Sequence, residues 1–244
     1  MKNEDKQHVS IAVCGHVDSG KSTTCGRLLF ELGAVNERTM KKLEEEAKNL
    51  GKDSFSFAFY MDTQKEERER GVTIKCTTKE FFTDTKHYTI VDAPGHANYI
   101  RNMLNGTSCT DICLLLVPAD GNFTASIMGQ SKQHAVLANL LGIKQVIVGI
   151  NKMDDQSTAN YGESRYKEIK DEMENILIKA GYDKKYVSES VPFIPYSGWY
   201  GDNLTKKSIN MSWWNGQDIV TKSGKKIHVD TLVDCLEHGR YYRG

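Results

Sequence analysis

One stretch constrains this chain more than any other: Gly15-His16-Val17-Asp18-Ser19-Gly20-Lys21-Ser22. It follows Val9-Ser10-Ile11-Ala12-Val13-Cys14, a β-branched apolar run of strand length, and precedes a segment carrying Leu28, Leu29 and Leu32 at helical spacing. Two glycines bracket the loop, so its backbone can turn successive N–H groups toward one point. The helix that follows adds the positive end of its dipole. A strand–GxxxxGK[ST]–helix unit is built to hold phosphate: Lys21 supplies a cation, and the Ser22 hydroxyl is a ligand for Mg²⁺. Chance produces such a pattern in a chain of this size with a probability of roughly one per cent. The unit implies a nucleoside triphosphate and leaves the base open.

Around this unit, strand-like and helix-like segments alternate, which predicts a sheet covered by helices on both faces. The first helix is expected to stop at Gly33 and a second to run from an Asn36 cap through Met40, Leu43, Ala47 and Leu50 to Gly51. Two adjacent strands, Cys76–Phe82 and Tyr88–Val91, read as a hairpin across Asp84-Thr85-Lys86. Further strands are expected at Ile112–Val117, Gln145–Ile150 and Val191–Pro195, with helices at Ala97–Leu104, Ser131–Leu141, Ser164–Ala180 and Thr231–Leu236. The fold class is therefore α/β: a P-loop NTPase with a mostly parallel six-stranded sheet. Residues 1–244 read as one domain, without repeat or low-complexity linker.

Three motifs follow three of these strands. Asp92-Ala93-Pro94-Gly95-His96 follows the third; Asp92 is placed to hold Mg²⁺ through water, and Gly95 to offer its N–H to a γ phosphate. Asn151-Lys152-Met153-Asp154 follows the fifth. The Asp154 carboxylate matches the N1–H and 2-amino donors of guanine, and adenine has neither; such pairing discriminates by roughly 10⁴–10⁵. Ser197-Gly198-Trp199 follows the last strand, with small residues that let backbone N–H groups approach the guanine O6 and an indole to face the base. Glu67–Ile74 lies where a nucleotide-sensing loop belongs, and Thr73 is a candidate Mg²⁺ ligand.

Composition favours no particular class of partner. Lys plus Arg and Asp plus Glu each number 32, so net charge gives no argument for nucleic acid or an anionic membrane. The N-terminal residues are charged and lack the apolar stretch of a secretory signal. The cysteines at 14, 25, 76, 109, 113 and 235 form no CxxC pair and read as reduced thiols of a cytoplasmic protein.

Taken together, Gly-His-Val-Asp-Ser-Gly-Lys-Ser-Thr-Thr, Glu-Arg-Glu-Arg-Gly-Val-Thr-Ile, Asp-Ala-Pro-Gly-His, Asn-Lys-Met-Asp and Ser-Gly-Trp-Tyr-Gly-Asp-Asn-Leu resemble the translational GTPase family, of the elongation factor one-alpha type. The resemblance extends from about His8 to Leu236 and includes the inserted helix at Asn36–Leu50. It implies GTP and GDP as ligands with Mg²⁺ held by Ser22, Thr73 and Asp92. It implies a nucleotide site made of Gly15, His16, Val17, Asp18, Ser19, Gly20, Lys21, Ser22, Thr23, Asp92, Gly95, Asn151, Lys152, Asp154, Ser197, Gly198 and Trp199. It further implies that His96 positions the attacking water behind an apolar gate of Val17 and Val72. The implied partners are aminoacyl-tRNA, the ribosome and a guanine-nucleotide exchange factor, engaged by a monomer.

The chain departs from the family pattern in two places. Ser-Ile-Met-Gly-Gln-Ser-Lys-Gln-His, ending at His134, stands where the family usually shows Gln-Thr-Arg-Glu-His. The sequence also stops at Gly244, where family members continue into two β-barrels, so the expectation is a GTP-binding domain without them. Two alternatives remain: a GTPase of the release-factor or ribosome-rescue type, and a nucleotide-dependent binding module without useful turnover. A P-loop kinase has no need of Asn151 and Asp154.

Overall fold

A computed structural model describes residues 6–62, 77–92, 110–143 and 145–238. The six-stranded sheet runs in the order β2-β3-β1-β4-β5-β6. Its strands are β1 (Gln7–Gly15), β2 (Thr77–Phe82), β3 (Lys86–Asp92), β4 (Ile112–Pro118), β5 (Gln145–Asn151) and β6 (Phe193–Pro195). All neighbours are parallel except β2 and β3, the expected hairpin. Strands β4 and β5 are buried along their whole length, as Ile-Cys-Leu-Leu-Leu-Val-Pro and Gln-Val-Ile-Val-Gly-Ile-Asn predict for a parallel sheet covered on both faces.

From β1 the chain crosses toward β3, whereas β4 to β5 and β5 to β6 step the other way. Right-handed crossovers then put α1 (Lys21–Glu31) on one face, and α5 (Lys132–Leu140) and α6 (Glu163–Lys179) on the other. Helix α1 packs against β1 and β3, α5 against β4, and α6 against β5. The reversal beside β1 leaves a crevice at the carboxyl ends of the strands, the place where open α/β sheets bind ligands.

Helix α2 (Glu37–Asn49) is capped by Asn36, whose side chain accepts the Thr39 N–H at 2.8 Å. Its stripe Met40, Leu43 and Ala47 is buried. Gly33, Gly51 and Gly181 take left-handed φ values of 77°, 66° and 102° after α1, α2 and α6. The expected helix at 97–104 lies outside the described residues.

Four features go beyond the sequence reading. Helix α3 (Ser56–Met61) follows a 3₁₀ turn at Asp53–Phe55 and packs on α1. Before α5, the short α4 (Phe123–Ser126) passes into a π turn, Ile127–Ser131, broken at Gly129 (φ −91°, ψ −115°). Helix α7 (Lys184–Ser190) precedes β6, and a separate hairpin of β7 (Gln217–Val220) and β8 (Lys226–Val229) leads to α8 (Leu232–His238). Among the described residues no helix is long and apolar enough to cross a membrane.

Candidate functional site

The phosphate loop joins β1 to α1 as the sequence predicts. Gly15 has no room for a side chain: a Cβ there would stand 2.6 Å from the Leu116 carbonyl oxygen of β4 and 2.7 Å from Ser19 Oγ. Asp18 and Gly20 adopt left-handed φ values of 65° and 85°, which curl the loop, and the Ser19 N–H closes it on the His16 carbonyl at 3.1 Å. Lys21 is buried and folds back over the loop, donating from Nζ to the carbonyls of Gly15 and His16 at 3.0 Å each. Ser22 and Thr23 are half-buried in the first turn of α1, and Val17 is half-buried on the loop. Ser19 Oγ is buried without a hydrogen-bond partner, as is Nδ1 of His16. A buried hydroxyl left unpaired costs roughly 1–3 kcal/mol, and a bound anion offers it an acceptor. The loop therefore fits phosphate.

Asn151 ends β5 and bonds to the loops after β1 and β6. Its amide donates from Nδ2 to the Ser19 carbonyl at 2.9 Å and accepts the Gly198 N–H on Oδ1 at 2.9 Å. A Cβ on Gly20 would collide with that amide, so the second loop glycine exists to admit Asn151. Gly198 is equally constrained, since its Cβ would meet Thr24 Oγ1 at 2.8 Å. Lys152 takes a left-handed φ of 61°, and its ammonium pairs with Asp120 at 2.9 Å. Ser197 is buried, and its hydroxyl accepts the Tyr200 N–H at 3.1 Å. Arg27 of α1 donates to the carbonyls of Trp199 and Tyr200 at 2.7 and 3.1 Å, holding this turn against the helix.

These loops enclose a cavity of about 360 Å³ whose lining includes Asp18, Gly20, Thr23, Asn151, Asp154 and Trp199. The volume is in the range of small-ligand pockets. Ser54 and Phe55 of the turn before α3 also line it, a contribution that sequence reading missed because the turn carries no motif. Ser22 is the second residue of α1, and the backbone of Asp92 lies beside Val13, two residues before Gly15. A hydroxyl and a carboxylate are hard oxygen donors of the kind Mg²⁺ takes. Thr73, Val72, Gly95 and His96 lie outside the described residues, as does the side chain of Asp92.

Behind the phosphate loop sits His134. Burial, reinforced by the charges of Lys21 and His16, holds its imidazole down to about 4. Gly129 of the π turn faces His16: a Cβ there would stand 3.2 Å from the His16 ring. The divergent segment noted in the sequence thus packs against the loop itself. Cys14, Cys25, Cys113 and Cys235 are buried thiols.

Comparison with known proteins agrees with this geometry. Residues 6–238 match the family model described as the elongation factor Tu GTP binding domain. Elongation factor 1-alpha of Aspergillus oryzae is 46% identical over 240 residues, covering 97% of this chain and 50% of that protein. Elongation factor 1-alpha of Hypocrea jecorina is 47% identical over the same span. The chain thus spans about half the length of these relatives. Among solved structures, Sup35 complexed with GMPPNP superposes with a TM-score of 0.68 at 29% identity, covering 100% of this chain and 47% of that one. The Saccharomyces cerevisiae Ski7 GTPase-like domain bound to GTP shares the fold, with a TM-score of 0.73 at 24% identity over 86% of this chain and 47% of that one. With the loop after β1, Asn151 and the turn after β6 converging on one cavity, the chain belongs to the elongation factor Tu GTP-binding domain family.

Proposed function

We propose that residues 1–244 act as the GTP-binding and GTP-hydrolysing switch domain of a translation elongation factor that delivers aminoacyl-tRNA to the ribosome. The observation that carries this reading is the convergence of Gly15–Thr23, Asn151–Asp154 and Ser197–Trp199 on one cavity. The identity of 46–47% to elongation factors 1-alpha supports the elongation-factor reading.

In this reading the loop N–H groups and Lys21 bind the phosphates, and Asp154 and the Ser197–Gly198 backbone read the two edges of guanine. Trp199 faces the base. Ser22 and Asp92 would hold Mg²⁺, joined by Thr73 in the triphosphate state, and the ion would supply charge neutralisation on the phosphates. Phosphoryl transfer to water depends mostly on positioning and charge. His96 orients the attacking water, and Val17 and Val72 keep it away until partners rearrange the loops. The partners are aminoacyl-tRNA, the ribosome and a guanine-nucleotide exchange factor, in the cytoplasm.

GTP hydrolysis measured with and without ribosomes tests the proposal. Slow turnover alone and strong stimulation by ribosomes are expected; equal rates would leave a nucleotide-binding module. His96→Ala should keep GDP affinity and lower stimulated hydrolysis by roughly 10²-fold or more. A variant as fast as the parent would remove His96 from the mechanism.

A further inference from the structure

The two base-side loops leave different strands, yet they are fastened to each other. After Asp154 the chain makes a compact turn: the Asp155 carboxylate accepts the Thr158 N–H at 2.9 Å, and the Asn160 N–H returns to the Asp155 carbonyl at 2.6 Å. Asn160 and Tyr161 then adopt left-handed backbone at φ 42° and 55°, a conformation that costs residues bearing a Cβ about 1 kcal/mol or more each. What the turn achieves is the return of Tyr161 to the motif: its N–H donates to the Met153 carbonyl at 2.7 Å.

The Tyr161 side chain points away, to the other loop. Its hydroxyl donates to Asp202 Oδ2 at 2.8 Å. The Asp202 carbonyl accepts the N–H of Ser197 at 3.1 Å, and its second carboxylate oxygen takes Ser208 Oγ at 2.7 Å and Asn210 Nδ2 at 3.1 Å. Trp213 fixes the tyrosine from behind, donating from Nε1 to its carbonyl at 2.7 Å. A continuous path therefore runs Met153–Tyr161–Asp202–Ser197, linking the residue before Asp154 to the residue before Gly198. Neither Tyr161 nor Asp202 lines the cavity.

We propose that Tyr161 and Asp202 are positioning residues for base selection, a clasp that holds Asp154 at a set distance from the Ser197–Gly198 turn so that both edges of one purine are read together. This rests on the reading of Asp154 as the guanine acceptor. Burial, with the carboxylates of Asp202 and Asp154 nearby, pushes the Tyr161 phenol far above its ordinary value, so it remains a donor throughout the physiological range.

Inosine diphosphate lacks the 2-amino group, so it loses one of the two bonds Asp154 makes to guanosine diphosphate. If the clasp places that carboxylate, Tyr161→Phe weakens guanosine diphosphate more than inosine diphosphate. We expect the ratio of their affinities to fall about 5- to 10-fold, because a displaced carboxylate loses part of the roughly 10- to 100-fold that one charge-assisted hydrogen bond supplies. Asp202→Ala should lower the ratio at least as much, since its carboxylate also holds Ser208 and Asn210. The double variant should lower it no further than Asp202→Ala alone, because both changes break one bond. An unchanged ratio in Tyr161→Phe, or losses that add in the double variant, would overturn the clasp. Should Asp202→Ala fail to fold, the Tyr161→Phe ratio decides by itself. A parent chain without preference for guanosine over inosine diphosphate would instead overturn the reading of Asp154.

Discussion

Asn151 and Ser19, 132 residues apart in sequence, are joined by a 2.9 Å hydrogen bond from the asparagine amide to the serine carbonyl. Through this bond the end of β5 is tied to the loop that joins β1 to α1. The same amide accepts from Gly198, so one buried side chain ties three loops. Asn151→Ala should accelerate GDP release by about 10²-fold or more, since two buried partners lose their bonds at roughly 1–3 kcal/mol each. A stopped-flow release rate close to that of the parent would show that the loops hold their shape without it.

Base preference should follow Asp154. Asp154→Asn presents an amide where guanine carries its 2-amino group, and xanthine carries a carbonyl there. Competition between xanthosine and guanosine diphosphates should shift toward xanthosine; a variant that keeps its guanosine preference refutes the assignment.

Stability should depend on pH through His134. Its imidazole is neutral in the folded protein down to about pH 4, while in the unfolded chain it protonates below the ordinary value of 6.5. The depressed folded value means that stability is full above pH 6.5 and is lost as pH falls from 6.5 to 4. The loss is about 3 kcal/mol for a shift of this size. Denaturant unfolding without nucleotide, compared between the parent and His134→Gln, checks this. The parent should lose stability over that window, and the variant should show a flatter profile.

Gly26 lies at a close contact between α1 and α3. A Cβ there would collide with the Phe57 carbonyl. Gly26→Ala should cost roughly 1–3 kcal/mol, the range for overpacking a well-packed contact, despite alanine's higher helix propensity. A chemical-denaturation midpoint at or above that of the parent would show that α3 shifts freely.

The parts of this molecule legible from sequence are those where local signals agree. Strand, phosphate loop and helix coincide at Val9–Leu32, and Asn36 and Gly51 bracket α2 with a cap and a left-handed stop. Helix α3 was not legible, because Ser-Phe-Ala-Phe-Tyr-Met is too short to show a helical period and alternates like a strand. Its helical state is stabilised by tertiary packing on α1, with Arg27 5.0 Å from the Phe57 ring centre. The π turn before α5 was hidden for a similar reason: its break at Gly129 answers to His16, more than a hundred residues away in sequence. In the site, the motifs named Asn151 and Ser197 but not the bonds between loops, which depend on strand order. Ser54 and Phe55 came into view only through the cavity they line.

Lys86 begins β3 opposite Gln7, the first residue of β1, and its ammonium donates to the carbonyl of Glu237 in α8 at 2.7 Å. The opening strand and the closing helix thus come together at one residue, on the end of the sheet remote from the phosphate loop. A short peptide bridge between Gln7 and Glu237 would leave the turns that line the cavity in their native connectivity. New chain ends could then be opened at Gly224 in the β7–β8 turn, where φ is 78° and a side chain would meet only open space. The domain is therefore suited to circular permutation, with a tether or reporter carried on the hairpin.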